Sequence, residues 1–100
     1  MKAIQLAAAR RLEAVEVPLP PDPGPGEVLV KSRAVGVCGS DLHWYLDGRI
    51  GHRQCVFPLI LGHEPVAEIA AVGPGVSESR VGERVFVEPA INCGHCEFCL

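Results

Sequence analysis

Three cysteines near the carboxyl end of the sequence, Cys93, Cys96 and Cys99, follow one another at intervals of three residues. The short C-x-x-C-x-x-C loops let three thiolates converge on one metal ion, and structural zinc takes four tetrahedral ligands that are often all sulfur. Three small buried apolar side chains are the alternative interpretation, but thiols crowded on a glycine-containing loop have no packing purpose. The spacing therefore favours a metal site to which these cysteines supply three of four ligands.

The identity of that metal is open on spacing alone. Ferredoxin-type iron–sulfur ligation also uses C-x-x-C-x-x-C, followed by x-x-x-C-P, and this sequence ends before that position. His95 adjoins Cys96 and is expected to point away from the metal, while Cys55 is a less regular candidate for the fourth ligand. An iron–sulfur electron-transfer protein is therefore an alternative to a zinc protein.

A second set of metal-binding residue types is spread along the chain and consists of Cys38, His63 and Glu64. Cys38 ends a predicted strand before Gly39, and His63 follows Gly62 in a tight bend. A thiolate, an imidazole and a carboxylate can form an open zinc site with room for a substrate. On spacing alone, a core cysteine with a surface histidine and glutamate is the favoured interpretation, because fixed short motifs are the stronger signal.

Ser40 and His43 lie in the segment SDLHWYLDGR, which predicts a short helix with Ser40 or Asp41 as its N-cap. Their spacing puts a hydroxyl and an imidazole on one helix face. Such a pair can pass protons to solvent, since histidine titrates near neutrality. A helix cap with an exposed histidine is the commoner explanation of such a pair.

The composition is that of one folded domain. The 100 residues are 48% hydrophobic and 21% charged, with a net charge of −3, and no run of lysine or arginine suggests a nucleic-acid groove. The stretch MKAIQLAAARR is too short and polar for a membrane span and lacks the layout of a secretory signal, so we expect a cytoplasmic protein. Five cysteines in such a chain indicate metal binding or thiol chemistry before disulfides.

Short strands separated by glycine and proline dominate the chain. We predict strands in KAIQLA, RLEAVEV, EVLVKSRAVGVC and PVAEIAAVG and at the end of VSESRVGERVFVEP, an extended turn in PLPPDPGPG, and a loop in RIGHRQCVFP. There is no strand–helix alternation and no G-x-G-x-x-G, and VGPGV is a turn between strands. The pattern predicts a mainly β domain, either a small barrel or a sandwich.

Several of these stretches together resemble a known family. VGVCGSDLHWYLDGRIG, then PLILGHE, then VGERVFVEP are similar in order and spacing to the zinc-dependent medium-chain alcohol and polyol dehydrogenases, and most similar to the sorbitol and xylitol dehydrogenases. The resemblance covers essentially the whole chain and reverses the preference against a site at Cys38, His63 and Glu64. It implies that residues 1–100 form an incomplete N-terminal GroES-like β-barrel catalytic domain, followed beyond the end of this chain by a Rossmann domain.

The resemblance also implies residue roles. Cys38 and His63 would be ligands of a catalytic zinc, and Glu64 would be the third protein ligand if the polyol pattern holds. In the related alcohol dehydrogenases, the matching glutamate is usually not a ligand and a later cysteine completes the site. Ser40 and His43 would form a proton relay. A structural zinc would be bound by Cys93, Cys96 and Cys99, with a fourth cysteine about eight residues further on.

The activity implied by the resemblance is oxidation of a secondary alcohol of a polyol, with NAD or NADP held by a domain absent from this chain. We accordingly expect a small-molecule alcohol substrate, no nucleic-acid or membrane partner, a homo-oligomeric full-length enzyme, and a fragment that is inactive by itself. The alternatives are L-threonine or another alcohol dehydrogenase of the same family, an iron–sulfur electron-transfer protein, and a non-catalytic zinc-binding module. No role is implied for Cys55.

Overall fold

The computed structural model describes residues 1–100 and consists mainly of β-strands. In chain order the elements are β1 Lys2–Ala8, β2 Arg11–Glu16, β3 Val28–Gly36, α1 Gly39–Asp47, β4 Arg49–Ile50, β5 Arg53–Gln54, β6 Glu64–Val72, a 3-10 turn Glu78–Arg80, and β7 Arg84–Phe86. The predicted mainly β character is therefore confirmed. No helical segment combines the length and the apolar character that a membrane crossing requires.

Backbone hydrogen bonds divide the strands into three antiparallel sheets. β1 pairs with β2, β3, β6 and β7 form the largest sheet in the order β3-β6-β7, and β4 pairs with β5. In the long β3–β6 pairing, Val28 lies opposite Val72 at one end and Gly36 lies opposite Glu64 at the other. The end of β3, which leads into Cys38, is therefore brought beside the start of β6, which follows His63.

The β4–β5 hairpin lies in the segment predicted to be loop. Its two residue pairs are Arg49 opposite Gln54 and Ile50 opposite Arg53. Gly51 in the turn has a φ of 57°, a left-handed value that glycine adopts without steric cost. Strands of two residues are too short to show an alternating pattern, so this hairpin is not predictable from residue alternation.

The core is small and lies under β1 and β6. Leu6, Ala67 and Ile69 are its buried apolar residues. Leu6 and Leu59 exchange backbone hydrogen bonds of 2.7 and 3.0 Å, which tie β1 to the segment that leads to His63. Many large apolar side chains remain exposed. The three sheets thus form an open arrangement within these residues.

Helix α1 is capped two to three residues earlier than predicted. Its N-cap is Cys38, in an extended conformation with φ −90° and ψ 156°, so the predicted caps Ser40 and Asp41 are wrong. Asp41 is instead the third helical residue, and its Oδ2 accepts a hydrogen bond of 3.0 Å from the backbone N–H of Cys38. A carboxylate in the first turn satisfies a free backbone donor and interacts favourably with the helix dipole. The helix ends at Gly48, which has a left-handed φ of 65°.

Candidate metal centres

Cys38, His63 and Glu64 come together in space although they are distant in sequence. Their sulfur, imidazole nitrogen and carboxylate oxygen atoms all lie within 4.8 Å of one another. Cys38 and His63 are half-buried, whereas Glu64 is exposed. A mixed set of sulfur, nitrogen and oxygen donors with one open side is the chemistry of catalytic zinc sites, which keep a position for water or substrate. The residues present therefore fit a catalytic zinc ion.

The backbone that presents His63 depends on Gly62. Gly62 has a φ of 103°, which residues with a side chain rarely adopt. A Cβ atom at this position would lie 2.7 Å from Cγ1 of Val35, on strand β3. Close packing of this bend against β3 therefore requires glycine, and the bend sets the position of the imidazole.

We expect Gly62→Ala to lower the free energy of unfolding by about 1–3 kcal/mol and to weaken zinc binding, because both the backbone strain and the contact with Val35 act on the bend. Gly75→Ala is the matched control, since Gly75 has a φ of 85° and no atom within 4 Å of an added Cβ. Chemical denaturation measures the stability, and competition with a chromophoric chelator measures zinc affinity. Equal losses of stability and of zinc affinity in the two variants would contradict a specific role for the Val35 contact.

Asp41 is a residue of this site that the sequence reasoning missed. It is only 7% exposed, unusually low for a carboxylate. Its Oδ2 accepts the hydrogen bond from Cys38 N–H at 3.0 Å, and its Oδ1 lies 3.6 Å from Nδ1 of His63. One carboxylate thus lies against both candidate ligand residues and leaves Nε2 of His63 available for a metal. Asp41 could have been found from the sequence, because it follows the helix-capping Cys38 by three residues, the spacing of a capping box.

Asp41→Asn is expected to weaken zinc binding about tenfold to a hundredfold, because carboxylates that orient a metal-binding histidine contribute on that scale. The substitution keeps the shape of the side chain and removes its charge. Asp47→Asn is the control, since Asp47 lies 3.8 Å from Nδ1 of the exposed His43 and outside both cysteine-containing clusters. Zinc dissociation constants of the two variants, measured by chelator competition, check the prediction. An unchanged zinc dissociation constant for Asp41→Asn would mean that Asp41 does not contribute to zinc binding.

Ser40 and His43 both lie on α1, one helical turn apart. Ser40 is half-buried in the first turn, near the candidate ligand Cys38. The side chain of His43 is 63% exposed, and its Nδ1 faces Asp47. No hydrogen bond joins Ser40 to His43 in the structure. The arrangement offers a half-buried hydroxyl near the metal centre and an imidazole at the surface, which are the two ends that a proton relay requires.

The three cysteines near the carboxyl end form a second cluster. Sγ of Cys99 lies 3.5 Å from Sγ of Cys93 and 3.5 Å from Sγ of Cys96. Sulfur atoms bound tetrahedrally to one zinc at about 2.3 Å are roughly 3.8 Å apart, so this spacing fits a zinc ion. The pKa of Cys93 is lowered to about 7, first by the backbone hydrogen bond from His95, then by backbone and side-chain hydrogen bonds from Cys96 and by a side-chain hydrogen bond from Cys99. A thiolate is the form that binds metal.

Neither residue considered as a fourth ligand joins this cluster. Nδ1 of His95 lies 2.7 Å from the carbonyl oxygen of Cys93, so the ring is engaged with the backbone, as expected from the sequence. Cys55 belongs to neither cluster of potential ligands. Within these residues the cluster therefore offers three sulfur ligands.

Comparison with known proteins gives the family. The alcohol dehydrogenase GroES-like domain matches residues 24–100. Sorbitol dehydrogenase of Bacillus subtilis is 50% identical over 99 residues, which are 99% of this chain and 28% of that protein. L-threonine 3-dehydrogenase of Thermococcus kodakarensis is 46% identical over 87 residues, which are 87% of this chain and 25% of that protein. The chain therefore spans less than a third of the length of these relatives.

A solved structure agrees with these relatives. An alcohol dehydrogenase (RspB) from Escherichia coli CFT073, complexed with the cofactor NADH, superposes with a TM-score of 0.79 at 42% identity, over 99% of this chain and 27% of that one. The resemblance inferred from the sequence motifs is thereby confirmed. Because the family match covers more than half of the residues, the chain belongs to the GroES-like alcohol dehydrogenase family of zinc-dependent medium-chain dehydrogenases.

Proposed function

We propose that residues 1–100 form the N-terminal metal-binding part of a zinc-dependent dehydrogenase that oxidises a secondary alcohol of a polyol with NAD or NADP. The observation that carries this proposal is the convergence of the ligand atoms of Cys38, His63 and Glu64 within 4.8 Å. A purely structural zinc site is closed by four protein ligands, whereas this set leaves a position for a substrate. The identity of 50% to a sorbitol dehydrogenase supports a polyol as the substrate.

The residues that would hold the catalytic metal are Cys38, His63 and Glu64. Zinc bound there supplies Lewis-acid polarisation of an alcohol oxygen. Asp41 orients His63 and fixes the backbone of Cys38. These contacts hold the site in place before the substrate arrives, which reduces the reorganisation that catalysis requires.

Proton removal is the task proposed for α1. Oγ of Ser40 accepts the proton of the substrate hydroxyl while it gives up its own hydroxyl proton toward His43. The imidazole of His43 takes up a proton on one ring nitrogen and releases one from the other to solvent. The exposure of the His43 ring supports its place at the outer end of this route. The nicotinamide cofactor, which accepts the hydride, is proposed to bind to a part of the enzyme outside residues 1–100, since the sequence contains no glycine fingerprint for a dinucleotide.

L-threonine is the second candidate substrate, and the observation that favours it is the identity of 46% to an L-threonine 3-dehydrogenase. Cys93, Cys96 and Cys99 are proposed to bind a structural zinc in either case. Their sulfur spacing supports this role. A closed site of this kind stabilises the fold and takes no part in the reaction.

A hybrid enzyme tests the proposed function. Residues 1–100 would replace the matching segment of Bacillus subtilis sorbitol dehydrogenase, and NADH formation would be followed with sorbitol, xylitol and L-threonine. We expect oxidation of at least one polyol and zinc at both clusters, measured by elemental analysis. A folded, zinc-loaded hybrid that oxidises no alcohol would contradict the proposal. Turnover of threonine alone would assign the second substrate, and iron with visible absorption would favour the electron-transfer alternative.

A further inference from the structure

Two neighbouring cavities run from the candidate zinc centre to the β4–β5 hairpin. The first, of about 200 Å³, is lined by His63 and the residues around it. The second, of about 390 Å³, is lined by Arg53 and Gln54 of the hairpin. Trp44 and Leu59 belong to both linings, so the cavities adjoin across these two side chains. The two cavities thus give a substrate bound at His63 a path toward Arg53.

Arg53 is an unpaired cation in the wall of the second cavity. It takes part in none of the ion pairs of the structure, and the lining of that cavity contains no acidic residue. The stretch 48–63 contains no aspartate or glutamate, and its other arginine, Arg49, adds to the local positive charge. The acidic residues on either side are already engaged, because Asp47 faces His43 and Glu64 belongs to the candidate metal cluster.

We propose that Arg53 determines specificity by binding a carboxylate on the substrate, so that the site prefers a sugar acid or another hydroxy acid over an uncharged polyol. A guanidinium forms strong, charge-assisted and often paired hydrogen bonds with a carboxylate. A hydroxyl of a neutral polyol carries no charge, so its hydrogen bond to the guanidinium is little stronger than the hydrogen bond to water that it replaces. The inference rests on the proposed function and narrows its substrate class to alcohols that carry an anionic group.

The chain has a single tryptophan, Trp44, and its place between the two cavities makes its fluorescence a reporter of ligand binding. The full chain would be titrated at constant ionic strength with D-gluconate and with D-sorbitol, which share a polyhydroxylated carbon chain and differ by the terminal carboxylate. We expect a dissociation constant for gluconate about tenfold to a hundredfold below that for sorbitol, the usual range for a hydrogen bond to a charged group.

Substitutions of single arginines test which of them causes the preference for gluconate. Arg53→Gln is expected to remove the preference for gluconate, and Arg53→Lys is expected to retain part of it, because lysine keeps the charge without the planar pair of donors. Arg84→Gln is the matched control, since Arg84 is an exposed arginine on β7 that lines none of the cavities. Its gluconate preference should equal that of the unaltered chain.

Three outcomes would overturn the inference: equal affinities for gluconate and sorbitol, binding of neither, or a gluconate preference that survives Arg53→Gln. The titration requires no hydride transfer, so its result is separate from that of the activity test. Failure of the proposed function is recognised by a hybrid enzyme that oxidises no alcohol while the chain still binds gluconate. Failure of this inference alone is recognised by a hybrid that oxidises sorbitol while the chain does not discriminate between the two ligands.

Discussion

Replacing Cys38 by alanine is expected to lower kcat/KM for alcohol oxidation by the hybrid enzyme about a thousandfold or more. A bound zinc contributes several kcal/mol of transition-state stabilisation, and about 4 kcal/mol corresponds to a thousandfold in rate. Cys38 also caps α1, so its loss alters the ligand set and the start of the helix that carries Ser40. Steady-state kinetics and elemental analysis of the same preparation measure both effects, and we expect the zinc of the three-cysteine cluster to remain.

Cys55→Ala is the matched control for this experiment. Cys55 is, like Cys38, a half-buried free cysteine, and it belongs to neither cluster of potential ligands. Its substitution removes a thiol of the same type, so the zinc content should stay equal to that of the unaltered hybrid. If Cys38→Ala kept its full zinc content and activity, the assignment of the catalytic metal to Cys38 would be wrong.

The candidate ligands could be identified in the sequence, but their convergence could not be derived from spacing. Cys38 and His63 are joined by the long β3–β6 pairing, in which Gly36 lies opposite Glu64. Local sequence predicts a strand well, because alternation and β-branched residues are local features, but it does not say which strands pair or in which register. Spacing alone therefore favoured separate, unconnected residues, and the family resemblance was needed to group them.

The first turn of α1 shows a different reason for a missed feature. Serine and aspartate are common N-caps, whereas cysteine is not, so the preference rules placed the helix start too late. The correct start puts Asp41 at the third helical position, where it reaches Cys38 N–H and lies beside His63. An error of two or three residues in a helix boundary thus hid the carboxylate that lies against both candidate ligands.

Cys96→Ser is expected to weaken zinc binding at the three-cysteine cluster about a hundredfold. Structural zinc sites bind with an apparent free energy of about 10–16 kcal/mol, so one ligand of four accounts for roughly 3 kcal/mol. Cys96 is a half-buried member of a cluster whose sulfur atoms already converge, with 3.5 Å between Sγ of Cys96 and Sγ of Cys99. Titration of the full chain with Co²⁺ measures the effect, because charge-transfer absorption from thiolate to cobalt reports the number of sulfur ligands.

His95→Ala separates a loss of a ligand from a general disturbance of the same loop. His95 is adjacent to Cys96, but its Nδ1 lies 2.7 Å from the carbonyl oxygen of Cys93. We therefore expect cobalt and zinc affinities within about tenfold of the unaltered chain, since a hydrogen bond to the backbone contributes only about 0.5–1.5 kcal/mol. A loss in His95→Ala as large as that in Cys96→Ser would mean that the imidazole turns to the metal when it binds. In that case His95 would be the fourth ligand, and the cluster would be closed within this chain.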